Sequence, residues 1–342
     1  NAIKYNHPGG TVTLERVAQV AGVSPSTVSR ILNGTAVVSQ AKKLAVEQAI
    51  AQLGFVPNPV ARGLAGGRTS SVGVLTQSLD SPFYGVALRG IEDELGTAGY
   101  SALFVSGHWN EREESRCIET LRSRLVDGII VLTGRLSDAD LTRCAAALPV
   151  VVTGRDLTAP RLCALSFDNV EGARMATEHL LGLGHRRVAF ITGDSAHPDA
   201  IDRLEGYRRA LAGAGIEFDP ALVVPGLFHE ESGLLAIERL LASGVAFTAV
   251  FAANDQMALG ACLGLYRRGL KVPDDVSVVG FDDIAPARYA LPPLTSVHHP
   301  AYELGVLAAR AMLQMLEGHS PDVALPPPRV IPRESSGPPR QR

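Results

Sequence analysis

The spacing of apolar and polar positions changes near residue 70, and that change divides the chain into a short helical part and a long alternating part. Leu14, Val17, Ala18 and Ala21 fall on one helical face, with Thr13 positioned to cap the exposed amides. Gly22 breaks the pattern, Ser24 can cap again, and Pro25 takes a first helical position, where its missing N–H costs nothing. This second helix runs from Pro25 to about Leu32 and stops at Asn33-Gly34. A third is predicted from Ser39 to Gly54, with Leu44, Ala45, Ile50 and Leu53 as its buried side.

From Ser71 the period shortens. Apolar runs Val72 to Leu75, Ser101 to Val105, Gly128 to Leu132 and Val150 to Val152 each lead into a helical stretch. The same alternation resumes at Val188 to Ile191, Leu222 to Val224, Ala249 to Ala252 and Val276 to Phe281. Short, nearly all-apolar strands between amphipathic helices imply parallel sheets covered on both faces. The segment from Pro332 to the end, rich in Pro and Arg, reads as a disordered tail over 332–342.

Composition adds a class and a polarity. A chain of 342 residues with 46% hydrophobic content exceeds one small core and describes a globular protein of two or three domains. No run approaches the roughly 18 to 20 apolar residues of a membrane helix, and no secretory leader is read at the start, so a cytoplasmic protein without membrane partners is expected. The four cysteines are widely separated, without metal-ligand or disulfide spacing. Residues 1–68 hold seven Lys or Arg against two Glu, whereas the whole chain carries −3, leaving −8 for the remainder. A basic head suited to phosphates precedes an acidic body.

Two short helices joined by a tight Ala-Gly-Val turn form a helix-turn-helix, whose second helix lies in the major groove while the first braces it. The DNA-facing set is Thr13, Ser24, Pro25, Ser26, Thr27, Ser29, Arg30 and Asn33. Arg30 can pair bidentately with guanine or clamp a phosphate, and Ser26 can touch a base edge. Ser24, Thr27, Ser29 and Asn33 suit phosphate oxygens.

The run AGVSPSTVSRILNG, followed by GFVPNPVARGLAGGRT, resembles the LacI/GalR family of bacterial transcription regulators, and the resemblance extends through the body. It implies an all-α helix-turn-helix head over 1–57, a hinge helix and linker over 58–69, and an α/β two-lobed body of periplasmic-binding-protein type over 70–331. It places lobe one at about 70–166 and 299–316 and lobe two at about 167–298, with a final strand at 324–331 returning to lobe one or lying at the seam. By the same resemblance Asn58 to Ala65 orders on the operator, Leu64 is the apolar wedge that kinks the duplex, and Arg62 lies near the minor groove or backbone. Gly63 departs from the family pattern and weakens that helix by roughly 1 kcal/mol.

In open parallel sheets ligands bind beyond the C-terminal strand ends. Phe83 and Tyr84 follow the first predicted strand, Arg155 the fourth, and Asp199 and Arg203 the fifth. Matched to family motifs, Arg203 in Arg203-Leu204-Glu205-Gly206-Tyr207 holds effector oxygens, while Asn254 and Asp282 contact the ligand directly. Phe83, Tyr84 and Phe228 match positions that cover a ring face. Trp109, the only tryptophan, follows the second strand and can line the cleft mouth. An arginine, an amide, a carboxylate and aromatic faces together suit a sugar or related polyol.

The expected protein is therefore a homodimeric repressor with a double-stranded DNA operator and a small-molecule effector, and with no cofactor. His298-His299 invites a metal reading but falls in the family's crossover segment, so no metal site is expected. No nucleotide loop, nucleophile elbow or zinc-protease motif occurs, which argues against an enzyme. The alternative from another class is a solute-binding protein of a transport system, which would keep the cleft but lack a DNA head.

Overall fold

The computed structural model describes residues 12–32, 38–55 and 68–340. They form two units, divided between Ser70 and Ser71.

In the first unit, α1 (Leu14–Ala21), α2 (Pro25–Leu32) and α3 (Gln40–Leu53) enclose Val17, Ala18, Val28, Val46 and Ala49. Thr13 Oγ1 accepts from Arg16 N at 3.3 Å, and Gly22, at φ 64°, ends α1 in the left-handed conformation that glycine adopts without a Cβ clash. The buried face of α3 differs from the expectation. Val46 and Ala49 point inward, Ala45, Ile50 and Leu53 are half-buried, and Leu44 is 54% exposed. Three helices of this size leave room for small side chains at the crossing, and the helix turns to present them.

The second unit contains two sheets. The first is built from β1 (Ser71–Thr76), β2 (Ser101–Ser106), β3 (Gly128–Val131), β4 (Val150–Thr153) and β5 (Leu162–Leu165), in the order β2-β1-β3-β4-β5, all parallel. Helices α4 (Pro82–Thr97), α5 (Glu111–Ser123) and α6 (Asp138–Ala147) belong to this lobe. The second sheet holds β6 (Val188–Thr192), β7 (Val223–Pro225), β8 (Ala249–Ala252), β9 (Ser277–Asp282), β10 (Thr295–His298) and β11 (Arg329–Ile331). Its order is β11-β10-β9-β8-β6-β7, with only β11 antiparallel. Helices α7 (Asn169–Gly182), α8 (Pro198–Gly213), α9 (Glu230–Ala242) and α10 (Asp255–Arg267) pack here, with the single turn α11 (Ala285–Arg288).

Each lobe thus repeats one winding, in which the first strand of the lobe lies between the second and the third. The winding direction reverses between β1 and β3 in one lobe and between β6 and β8 in the other. Helices diverge to opposite faces at these points and leave a crevice beyond the strand ends.

The chain passes between lobes three times. It leaves β5 for α7, returns from β10 to α12 (Ala301–Leu316), which packs on α4, and crosses again to β11. Helices α4 and α12 approach so closely that a Cβ on Gly305 would lie 2.0 Å from the Ala87 carbonyl oxygen. Glycine is required there for want of space.

Two expectations for the C-terminal segment are corrected. The final strand is β11, and it pairs with β10 at the edge of the second sheet rather than joining lobe one or the seam. The stretch Arg333–Arg340 is ordered. Ser335 is fully buried: its N–H donates to the Pro293 carbonyl, its carbonyl accepts from Val278 N, and its Oγ donates to the Val278 carbonyl at 2.6 Å and accepts from Thr295 N at 2.8 Å. Arg333 and Arg340 pair with Asp283 and Asp275. Backbone groups at the strand ends need partners, and this segment supplies them.

Candidate functional site

In the head, the start of α2 is organised by serine and threonine. Ser24 Oγ accepts from Thr27 N at 3.2 Å and lies 2.8 Å from both Ser26 Oγ and Thr27 Oγ1. Ser24, Pro25, Ser26 and Arg30 are exposed, whereas Thr13, Thr27 and Ser29 are half-buried. Arg30 Nε donates to the Ser26 carbonyl at 3.3 Å, which lays the guanidinium back along the outer face of the helix. Hydroxyls and a helix N-terminus on one exposed surface can receive phosphate oxygens. Asn33, Arg62, Leu64 and the expected hinge 58–65 lie outside the described residues.

In the body, the strand ends of the two lobes face each other across a cavity of about 470 Å³. Phe83, Tyr84, Asp199, Arg203, Phe228, Asn254 and Asp282 all line it, as does Trp109. Arg155 does not. Its guanidinium turns away to Asp138 Oδ1 at 2.8 Å and the Gly134 carbonyl at 2.6 Å, because the acidic first turn of α6 attracts a cation more strongly than an open cleft does.

Arg203 occupies the floor, almost fully buried. Nε donates to Asn169 Oδ1 at 2.9 Å and Nη1 to the Ala253 carbonyl at 2.5 Å, while its plane lies 3.7 Å over the Phe281 ring. Only Nη2 is left toward the cavity, 3.5 Å from Asp282 Oδ1 and 3.8 Å from Asp199 Oδ2. Burial pushes the Asp282 carboxyl up to about 7, although Arg203 draws it down and Asp199 adds a smaller upward effect. Asn254 serves the scaffold as well. Its Oδ1 caps α10 by accepting from Met257 N, and its Nδ2 donates to the Phe228 carbonyl, both at 2.9 Å.

Several residues of the cavity were not singled out by sequence. His197 caps α8 by accepting from Asp199 N on Nδ1, and its ring centroid lies 4.3 Å from Trp109 and 5.0 Å from Phe228. Burial holds its pKa below the usual range. Gln77 Nε2 donates to the Thr133 carbonyl and its Oε1 accepts from Trp109 N, so it fixes the loop that carries the tryptophan. Outside this cavity, His299, which the sequence places in the crossover segment, stacks on Phe167 at 4.0 Å, and its two ring nitrogens have no hydrogen-bond partner among the described residues. The signal for His197 was present as a capping side chain directly before Pro198 in a strand-to-helix connection.

The backbone is tightened around this cavity. His108, Trp109, Phe228 and Asp282 all have positive φ, Asp282 reaching 102°, and all four line the cavity. Non-glycine residues in that region cost about 1–3 kcal/mol each and collect where side chains must be aimed. Across the opening, Arg135 of lobe one pairs with Asp194 of lobe two at 2.5 Å.

Known proteins share this plan. The family of bacterial regulatory proteins of lacI type matches residues 13–58, and a periplasmic-binding-protein-like domain matches residues 177–336. The HTH-type transcriptional regulator CelR of Thermobifida fusca is 38% identical over 316 residues, 90% of this chain and 93% of that protein. The chain belongs to the LacI family of bacterial transcription regulators. Another relative of this LacI-family regulator, GalR of Escherichia coli strain K12, is 36% identical over 89% of each chain. Among solved structures, a lac repressor dimer bound to operator and the anti-inducer ONPF superposes with a TM-score of 0.86 at 30% identity, covering 95% of this chain and 99% of that one. A CelR–cellobiose complex superposes at 0.71 with 37% identity and the same coverages. These relatives are transcription regulators rather than enzymes or transport proteins, so the alternative of a solute-binding protein finds no support. Among the described residues no helix is long and apolar enough to cross a membrane.

Proposed function

We propose that this LacI-family regulator is a homodimeric repressor of a pseudo-palindromic operator, governed by a sugar or related polyol held between its lobes. The observation that carries the effector reading is the floor of the cleft. Arg203 Nη2 and the carboxylates of Asp199 and Asp282 converge there beneath the rings of Phe83, Tyr84, Trp109 and Phe228. Fixed donors and acceptors match vicinal hydroxyls, and aromatic faces cover the C–H surface of a pyranose. The CelR relative solved with cellobiose supports the same class.

For the operator, the reading rests on the exposed hydroxyls and Arg30 of α2. Asn33, Arg62 and Leu64 join them by resemblance, Leu64 as the wedge that favours a kinked site. Effector and operator are coupled through the angle between the lobes, at a typical strength of about 1 to 3 kcal/mol.

The deciding experiment measures affinity for an operator-bearing duplex against salt concentration, with and without a panel of sugars and polyols, alongside thermal shifts. Operator affinity should fall steeply as salt rises, and one member of the panel should both stabilise the protein and change operator affinity. Absence of salt-dependent duplex binding would defeat the DNA reading; sugars that neither stabilise nor modulate would defeat the effector reading.

A further inference from the structure

The cleft has an uneven charge and a measurable size, and both restrict what can enter it. Five carboxyl groups line it, those of Asp80, Asp194, Asp199, Glu230 and Asp282, the last pushed up to about 7 by burial, against a single guanidinium, that of Arg203. That guanidinium is already shared between Asp199 and Asp282 and spends its remaining donors on Asn169 and Ala253. Arg135 offsets Asp194 from just outside the cavity. Asp80 and Glu230 stand exposed at the rim with no Lys or Arg beside them in the lining, where His108 is the one group whose positive charge favours the Asp80 carboxylate; Asp80 takes a hydrogen bond from Ser78 and Glu230 two from Gln256 at 3.1 Å. Such a mouth repels an anion at entry, and the floor offers it no unpaired cation on arrival.

Size supplies the second restriction. A hexose is six CH₂O units, each about as large as a water molecule, so at about 30 Å³ per water it fills roughly 180 Å³ and a disaccharide roughly 350 Å³. The cavity of about 470 Å³ leaves one hexose loose and accommodates two rings. Its lining is also divided in two. Arg203, Asn254, Asp282 and His197 form a buried floor, while Asp80, His108, His229 and Glu230 are solvent-exposed, with Trp109 and Phe228 between the two sets by burial.

We infer that the effector is an uncharged disaccharide, one ring bound by Arg203 and Asp282 at the floor and the other against Trp109 at the acidic rim, and that phosphorylated sugars are refused. This rests on the sugar reading above and refines it. Asp80 and Glu230 are then the specificity residues: they accept hydrogen bonds from hydroxyls of the outer ring and repel a phosphate at the same position.

The test is calorimetric titration of the full-length protein with cellobiose, maltose, lactose and trehalose, with glucose and galactose, and with glucose 6-phosphate and trehalose 6-phosphate. One neutral disaccharide should bind at least tenfold more tightly than any monosaccharide or phosphate ester. A monosaccharide or a phosphate ester binding as tightly would overturn the inference while leaving the sugar reading intact; binding by nothing in the panel would overturn the sugar reading and this refinement with it. A D80N/E230Q double variant separates charge from size. Its affinity for glucose 6-phosphate relative to that for the preferred disaccharide should rise severalfold, and an unchanged ratio would show that the rim does not discriminate.

Discussion

Asp282 carries opposing demands. Its left-handed backbone and buried carboxyl are both unfavourable, yet they bring an oxygen within 3.5 Å of Arg203 at the cavity floor. A carboxyl that titrates near 4 when unfolded and near 7 when folded binds more protons in the folded state between those values. Its contribution to stability is therefore greatest at low pH and is lost as pH rises from about 4 toward 7. Urea unfolding at pH 5 and pH 7.5 should show this loss as a difference between the wild type and Asp282→Asn, because His179, His185, His197 and His299, all held below the usual range by burial, work in the opposite direction in both proteins. Asp282→Asn should lose less, and an unchanged pH difference would refute the assignment. Buried Asp255, also raised, contributes in the same direction and remains as background in the variant. In the head, Arg30→Ala should weaken operator binding by about tenfold to a hundredfold, the worth of one guanidinium contact of about 1–3 kcal/mol. Effector affinity measured on the same preparation should stay within twofold.

At the scale of elements, the central strands β1, β3, β4, β6, β8 and β9 were legible because burial on both faces leaves a nearly uninterrupted apolar run. Strand β5, Leu162–Leu165, was missed: it is a half-buried edge strand of four residues with no turn signature of its own. The site was legible where strand ends and motifs coincide, at Arg203, Asn254 and Asp282. It was not legible at Gln77, whose partners Trp109 and Thr133 lie 32 and 56 positions away, nor in the aromatic contacts of His197, whose capping role alone was local, nor at Arg155, whose side chain could turn either way until α6 was placed. Composition misread the tail. Its proline content suggested disorder, whereas Ser335 fills the hydrogen-bonding positions of β9 and β10. Ser335→Ala strips a partner from the Thr295 N–H and the Val278 carbonyl, both buried, and should cost about 2 kcal/mol in chemical denaturation. A loss below about 0.5 kcal/mol would mean that water replaces it.

For the whole molecule, the contacts that bridge the cleft among the described residues include the Arg135–Asp194 pair, the packing of Trp109 on His197 and that of Phe83 on the core of lobe two. The pair is about one-third exposed, and such pairs contribute at most about 1 kcal/mol. Asp194→Ala should consequently change effector affinity less than fivefold in calorimetry; a hundredfold loss would instead mean that Asp194 touches the ligand itself. Trp109→Ala removes both the bridge and a stacking face, and its effect should exceed that of Asp194→Ala.

The three passages between lobes also govern how the protein is made. The sheet of lobe one is complete at Leu165, but the helix that covers one of its faces, with Leu304, Ala308 and Met312, is translated only after nearly all of lobe two. Lobe two in turn waits for β11 and Ser335 to close its edge. Neither lobe can finish on the ribosome before the other is almost fully synthesised. Domains ordinarily fold as units in order of synthesis, but here the two mature almost together, once residues 301–337 have been made. A chain stopped before residue 300 would expose both cores at once.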